Sequence, residues 1–90
     1  VQPSQIAKII DQLFDNKPKA KLIVSRENNR DILTLQIEYL INTNEKENLN
    51  KKVVDEMKKI LNLNGIVEFV NLGSLPNDGK VIDDERDFGD

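Results

Sequence analysis

Apolar residues recur along this chain in two rhythms, and the change from one to the other marks out its elements. Ile6, Ile9, Ile10 and Leu13 fall at i, i+3, i+4 and i+7, the spacing of one helix face. Pro3-Ser4 precedes them, with Ser4 placed to act as N-cap, so a short amphipathic helix is predicted to run to about Asp15. Asn16-Lys17-Pro18 ends it, because proline disfavours helix in the residue before it. The rhythm then drops to two. Ala20, Leu22 and Val24 alternate with Lys21, Ile23 and Ser25, which predicts a strand. The polar cluster Glu27-Asn28-Asn29-Arg30-Asp31 marks a hairpin turn. After it, Leu33, Leu35, Ile37, Tyr39 and Ile41 alternate with Ile32, Thr34, Gln36, Glu38 and Leu40, the clearest strand in the chain.

Asn42-Thr43-Asn44 interrupts again, and Asn44 with Glu47 three residues on forms a capping box for a second helix. Leu49, Val53, Met57, Ile60 and Leu61 give that helix one apolar stripe, in which Met57 reads as core filler. Asn64-Gly65 is predicted to supply the left-handed stop, and Ile66–Val70 a short apolar strand. Beyond Lys80 the acidic residues Asp83, Asp84, Glu85, Asp87 and Asp90 crowd together, which predicts a solvated end. The order is helix, strand, strand, helix, strand. With a strand ending at Val1 it would complete β-α-β-β-α-β, an α+β fold of the ferredoxin-like split β-α-β type with its first strand largely missing. The expected architecture is an antiparallel sheet with two helices on one face. A chain that starts almost at a helix cap reads as the C-terminal part of a longer polypeptide.

The composition removes whole classes of chemistry. Ninety residues make one domain, small for a complete enzyme. Histidine, cysteine and tryptophan are all absent, so imidazole bases, thiolate nucleophiles, disulfides and the usual zinc ligand sets are excluded, and no metal site is expected. Cysteine-free composition fits a cytoplasmic setting. No apolar run approaches the roughly 18–20 residues of a membrane span. A net charge of -3 and a pI near 4.9 argue against nucleic acid as a partner, and no aromatic residues are interleaved with the lysines to stack on bases.

One segment stands out chemically. Gly73-Ser74-Leu75-Pro76-Asn77-Asp78-Gly79-Lys80 sets a lysine on a turn-rich loop just after a strand. Asn77-Asp78-Gly79 is a strong turn signal and Pro76 fixes its own φ, while Gly79 allows close backbone approach to a ligand. Such a loop can hold an ammonium out into a cleft.

Several segments in order resemble the C-terminal domain of phenylacetate-coenzyme A ligases and their relatives among the adenylate-forming enzymes. Val1-Gln2-Pro3-Ser4-Gln5-Ile6 is similar to the family's V-F-P-S-Q-I. Leu22-Ile23-Val24-Ser25-Arg26-Glu27 and Leu33-Thr34-Leu35-Gln36-Ile37-Glu38 resemble its hairpin around T-R-E-G and L-T-V-R-V-E. Val67 to Pro76 resembles V-E-L-V-E-P-G-S-I-P, and Gly79-Lys80 falls at the family's G-K. Two departures are visible. One residue fewer separates Pro76 from Gly79 than the family usually has, and Val81-Ile82-Asp83 replaces the family's A-K-R-V continuation.

The resemblance implies an enzyme that joins a carboxylate to coenzyme A in two steps, through an acyl-adenylate made from ATP with magnesium. It implies Lys80 as the adenylation lysine, with Gly73, Pro76 and Gly79 supporting its loop within 73–90. Val1, Gln2, Pro3, Ser4 and Gln5 would end a loop that lines the thiol's tunnel. Arg26, Glu27 and Arg30 are read as solvating the hairpin. The implied partners are a large N-terminal domain of the same polypeptide and an aryl or acyl carboxylate. That domain would carry the Gly-rich phosphate loop, so this segment alone is expected to bind no cofactor and to turn over nothing. Two other readings share the element order: a free-standing regulatory domain that binds a small metabolite, and the C-terminal domain of an enzyme adenylylating a deazaflavin coenzyme.

Overall fold

A computed structural model describes residues 2–86. Two helices, α1 (Pro3–Leu13) and α2 (Thr43–Leu61), accompany four strands, β1 (Ala20–Glu27), β2 (Arg30–Glu38), β3 (Ile66–Val70) and β4 (Ile82–Asp84). The sheet order is β3-β2-β1-β4. This is the expected α+β arrangement of the ferredoxin-like split β-α-β type.

The two helices share one core with one face of the sheet. Ile6, Ile9 and Ile10 of α1 and Val53, Met57 and Leu61 of α2 are buried with Leu22, Val24, Leu33, Leu35, Ile37 and Val67. The strand residues among these occupy alternate positions, and the register matches them: Leu22 lies opposite Leu35, Val24 opposite Leu33, and Leu35 beside Val67. Phe14, Tyr39 and Phe69 close one end, their neighbouring rings 5.0 and 6.3 Å apart. Offset, tilted contacts of this kind suit the ring quadrupoles.

Only the central pair, β1 with β2, is antiparallel; the outer pairs β2 with β3 and β1 with β4 are parallel. The expectation of a wholly antiparallel sheet therefore holds only at the centre. A β-α-β crossover through α2, a connection that is right-handed almost without exception, brings β3 beside β2 in the same direction. The central hairpin turns on Asn28 and Asn29, both with positive φ (53° and 66°), the pattern of a type I′ turn.

Element ends differ from the sequence reading in several places: α1 stops at Leu13 rather than near Asp15, β2 stops at Glu38 short of Tyr39 and Ile41, and the caps shift as follows. The N-cap of α1 is Gln2 rather than Ser4: Pro3 takes the first helical turn, and the Gln5 side chain accepts from the Gln2 amide at 2.7 Å. The N-cap of α2 is Asn42 rather than Asn44, its side-chain Oδ1 accepting from the Glu45 amide at 2.9 Å. The left-handed residue after α2 is Asn62 (φ 58°), not Gly65. Gly65 serves proximity instead: a Cβ there would collide with the Met57 methyl group and press on the Leu33 carbonyl.

The acidic tail holds the largest surprise. Ile82, Asp83 and Asp84 pair in parallel with Leu22, Ile23 and Val24, so this segment is a fourth strand and not a solvated end. The Leu22 amide donates to the Val81 carbonyl at 2.7 Å and the Glu85 amide to the Val24 carbonyl at 2.7 Å, which satisfies an otherwise open sheet edge. Asp87 and Asp90 lie outside the described residues.

Candidate functional site

Residues 71–81 join the two outermost strands and therefore have to cross β2 and β1 to do so. The helices occupy one face of the sheet, so the connector crosses the other. Alternation along the strands turns Lys19, Lys21 and Glu38 toward that open face, and these are the residues that meet it.

Glu38 is 9% exposed and its carboxylate takes two backbone donors from the connector, Gly73 N at 3.0 Å and Leu75 N at 2.8 Å. Gly73 has φ 86°, a left-handed conformation that an L side chain rarely adopts and that lets the two amides converge on one carboxylate. The same two bonds hold the Glu38 carboxyl below the usual glutamate range, against the cost of its desolvation and with help from nearby Lys19. Lys19 lies across the ladder from Glu38, whose amide donates to the Lys19 carbonyl at 2.8 Å. The Lys19 ammonium donates to the Leu75 carbonyl and to Asn77 Oδ1, both at 3.2 Å. Leu75 is 7% exposed yet stands apart from the helix-side core, buried under the connector.

Farther along, the buried Lys21 ammonium lies 3.7 Å from Asp78 Oδ2 and 3.9 Å from Asp83 Oδ2. Asp78 Oδ1 accepts from the Lys80 amide at 2.9 Å, an Asx turn completed by Gly79 at φ 76°. The Asp78 carboxyl is lowered chiefly by that amide, with Lys21 adding to it. Lys80 itself is exposed, and among the described residues its ammonium has no hydrogen bond and no carboxylate within 4.0 Å.

The other sequence-derived site residues fall as follows. Gly73 and Gly79 occupy left-handed positions in the connector, and Pro76 is exposed between them. Gln2, Pro3 and Ser4 are exposed at the start of α1, with Gln5 half-buried; Val1 lies outside the described residues. A groove of about 350 Å³ brings the start of α1 near the residue before β4, lined by Pro3, Ile6 and Ile10 on α1 with Lys17, Ala20 and Val81. The start of α1 and the residue next to Lys80 thus share one concavity.

Arg26, read as solvating the hairpin, donates to Asp31 at 3.2 Å. Arg86 reaches the same Asp31 at 2.9 Å and Asp84 at 2.6 Å. These bonds hold the Asp84 carboxyl down at about 2 and lower Asp31, while Arg86 is pushed up. The network ties β4 to the hairpin at the end of the sheet opposite the lysine loop.

Glu38, Lys19 and Lys21 were not among the sequence candidates. Their only local signal is a charged residue at a polar-face position near one end of each of two alternating strands, a pattern that ordinarily means solvent. Among the described residues no group of three or more Asp or Glu side chains is placed to hold a metal ion, and no helix is long and apolar enough to cross a membrane.

Residues 1–86 match the family described as AMP-binding enzyme C-terminal domain. The fold is similar to that of a domain of phenylacetate-coenzyme A ligase from Bacteroides vulgatus ATCC 8482, with a TM-score of 0.84 and 19% identity over 99% of this chain and 88% of that one. It is also similar to part of 2-hydroxyisobutyryl-CoA ligase, solved with 2-HIB-AMP and CoA in the thioesterification state. There the TM-score is 0.79 and identity 19%, covering 96% of this chain but only 20% of that protein. No curated protein matches the chain.

Proposed function

The chain belongs to the AMP-binding enzyme C-terminal domain family, and from that premise we propose that it is the small mobile domain of an acyl- or aryl-CoA ligase. In this reading Lys80 is the catalytic residue for acyl-adenylate formation. A large N-terminal domain of the same polypeptide is its partner and builds the pockets for ATP, magnesium and the carboxylate substrate. The need for ATP and coenzyme A fits a cytoplasmic enzyme.

In the first step a carboxylate oxygen attacks the α-phosphorus of ATP, the bond to pyrophosphate breaks, and pyrophosphate leaves with the electron pair. Two anions meet, so the barrier has a large Coulomb component that a positioned ammonium lowers. In the second step the coenzyme A thiol loses its proton, attacks the acyl carbon and expels AMP. The domain turns between the steps, and the segment from Val1 to Gln5 then lines the path of the thiol.

The observation that carries this reading is an exposed ammonium, with no carboxylate within 4.0 Å among the described residues, on a loop whose backbone is tied down. Lys80→Ala in the full-length enzyme is expected to slow adenylate formation on the order of 10²–10³-fold, about 3–4 kcal/mol, as for loss of one preorganised donor. Adenylate formation at the unaltered rate would refute the role of Lys80. Thioester formation from supplied acyl-adenylate separates a CoA ligase from an enzyme that passes AMP to a deazaflavin coenzyme.

A further inference from the structure

The feature that the adenylation reading leaves unused is the row of charged side chains on the open face of the sheet. A buried carboxylate is costly unless paired or hydrogen-bonded, and Glu38 is held by two backbone amides of the connector and by no other described donor. Lys19 and Lys21 then hold the same segment at Leu75, Asn77 and Asp78. The contacts follow the connector in order. Gly73 and Leu75 sit on β2, Leu75 to Asp78 sit over β1, and the last of them, Asp78, carries the Lys80 amide.

We propose that Glu38 is a positioning residue for adenylate formation, which acts by fixing the connector against the sheet so that Lys80 leaves it from a defined point, with Lys19 as its companion. The inference rests on the assignment of Lys80 as the catalytic residue. It adds that the rigidity of the loop comes from a side chain of β2, 35 residues and more upstream of the turn it holds. The groups that face Glu38 are the amides of residues 73 and 75 and the Lys19 ammonium, with Lys21, Asp78 and Asp83 beyond them on the same face. A general effect on folding would touch both half-reactions, whereas a positioning effect falls on the one that uses Lys80. In the second half-reaction another surface of the domain is engaged.

The test uses the full-length enzyme with Glu38→Gln, which keeps the shape but turns an amide NH₂ toward one of the two backbone donors. Lys19→Met serves as a second variant at an exposed position. Adenylate formation is measured by ATP–pyrophosphate exchange and thioester formation is measured separately from supplied acyl-adenylate, with Lys80→Ala alongside. Misplacement of a reacting group by about 1 Å costs on the order of 10²-fold, so E38Q is expected to lose roughly 10–100-fold in exchange and K19M several-fold. Thioester formation stays within about twofold, and amide hydrogen exchange quickens at residues 73–75 but not at Leu35. Normal exchange activity in E38Q and K19M beside an impaired K80A overturns the proposal alone. An unimpaired K80A overturns the Lys80 assignment and this proposal together. Parallel loss of both half-reactions with a fall in Tm assigns Glu38 a merely structural role and also overturns it.

Discussion

The two faces of this sheet are written by alternate residues of the same strands, and they do different work. On the helix side Leu22, Leu35 and Ile37 are fully buried within the apolar cluster. On the other side Lys21 and Glu38 are nearly as buried, yet each is satisfied by a partner on the connector. Apolar burial is non-directional and rewards area, so the first face sets how firmly the domain folds. Charged hydrogen bonds are short and directional, so the second sets where one loop lies. The lesson is that a half-open sheet can keep stability and placement on separate rows of side chains, one residue apart.

That division can be broken most forcefully from the packed side. Leu35 is fully buried at the centre of the core, and Leu35→Ala is expected to cost about 3 kcal/mol through lost burial and the cavity left behind. In a domain of this size that lowers Tm by roughly 10–20 °C in a thermal melt. A loss below about 1 kcal/mol would show that the helix-side core does not carry the fold. A smaller effect is expected at Gly65, where an added Cβ meets the fully buried Met57 and the Leu33 carbonyl. Overpacking of this kind places Gly65→Ala at about 1–3 kcal/mol in denaturant unfolding, and Met57→Ala in the same chain should relieve the clash but add a cavity of its own.

The smallest effect near neutrality belongs to the open face and sharpens the contrast. The carboxyls of Glu38 and Asp78 are lowered, so the stability they contribute is fully present above ordinary carboxylate values and is lost as pH falls through their own lower values. The strand residues that line the packed face, Leu22, Val24, Leu33, Leu35 and Ile37, carry no group that titrates. Carboxyl-carbon shifts followed by NMR in acid should move for Glu38 below the range of a glutamate in an unfolded peptide, and for Asp84 near pH 2. A Glu38 that titrates like a free glutamate would mean that the two amides do not hold it in solution.

Much of the fold was legible because it is local. The stripe Ile6, Ile9, Ile10 and the alternation Leu33, Leu35, Ile37 are periodicities that any amphipathic element has to show. The helix starts slipped by two residues, α2 because Asn42 and Asn44 are equally good caps and α1 because Pro3 suits the first helical position and starts the helix ahead of Ser4. β4 was not legible: Ile82 is its only apolar residue, and what makes it a strand is the open edge of β1, 60 positions earlier in the paired register. Glu38 was hidden for the same reason. Its alternation predicts solvent, and its burial depends on a turn that arrives from far along the chain. The turn before Lys80, by contrast, was visible in its own residues, Asn77-Asp78-Gly79, while the choice of that lysine came from the family resemblance.

The crossing made by the connector has a consequence for how such domains tolerate insertions and deletions. Spanning from β3 to β4 covers three strand spacings, about 14 Å, whereas eleven extended residues reach roughly 35 Å. More than half of that reach is slack, stored in the bends around Asn77, Asp78 and Gly79. A residue can be dropped or added there without shifting either anchoring strand, so a lineage can trim the tip that carries its ammonium while the seam below stays shut.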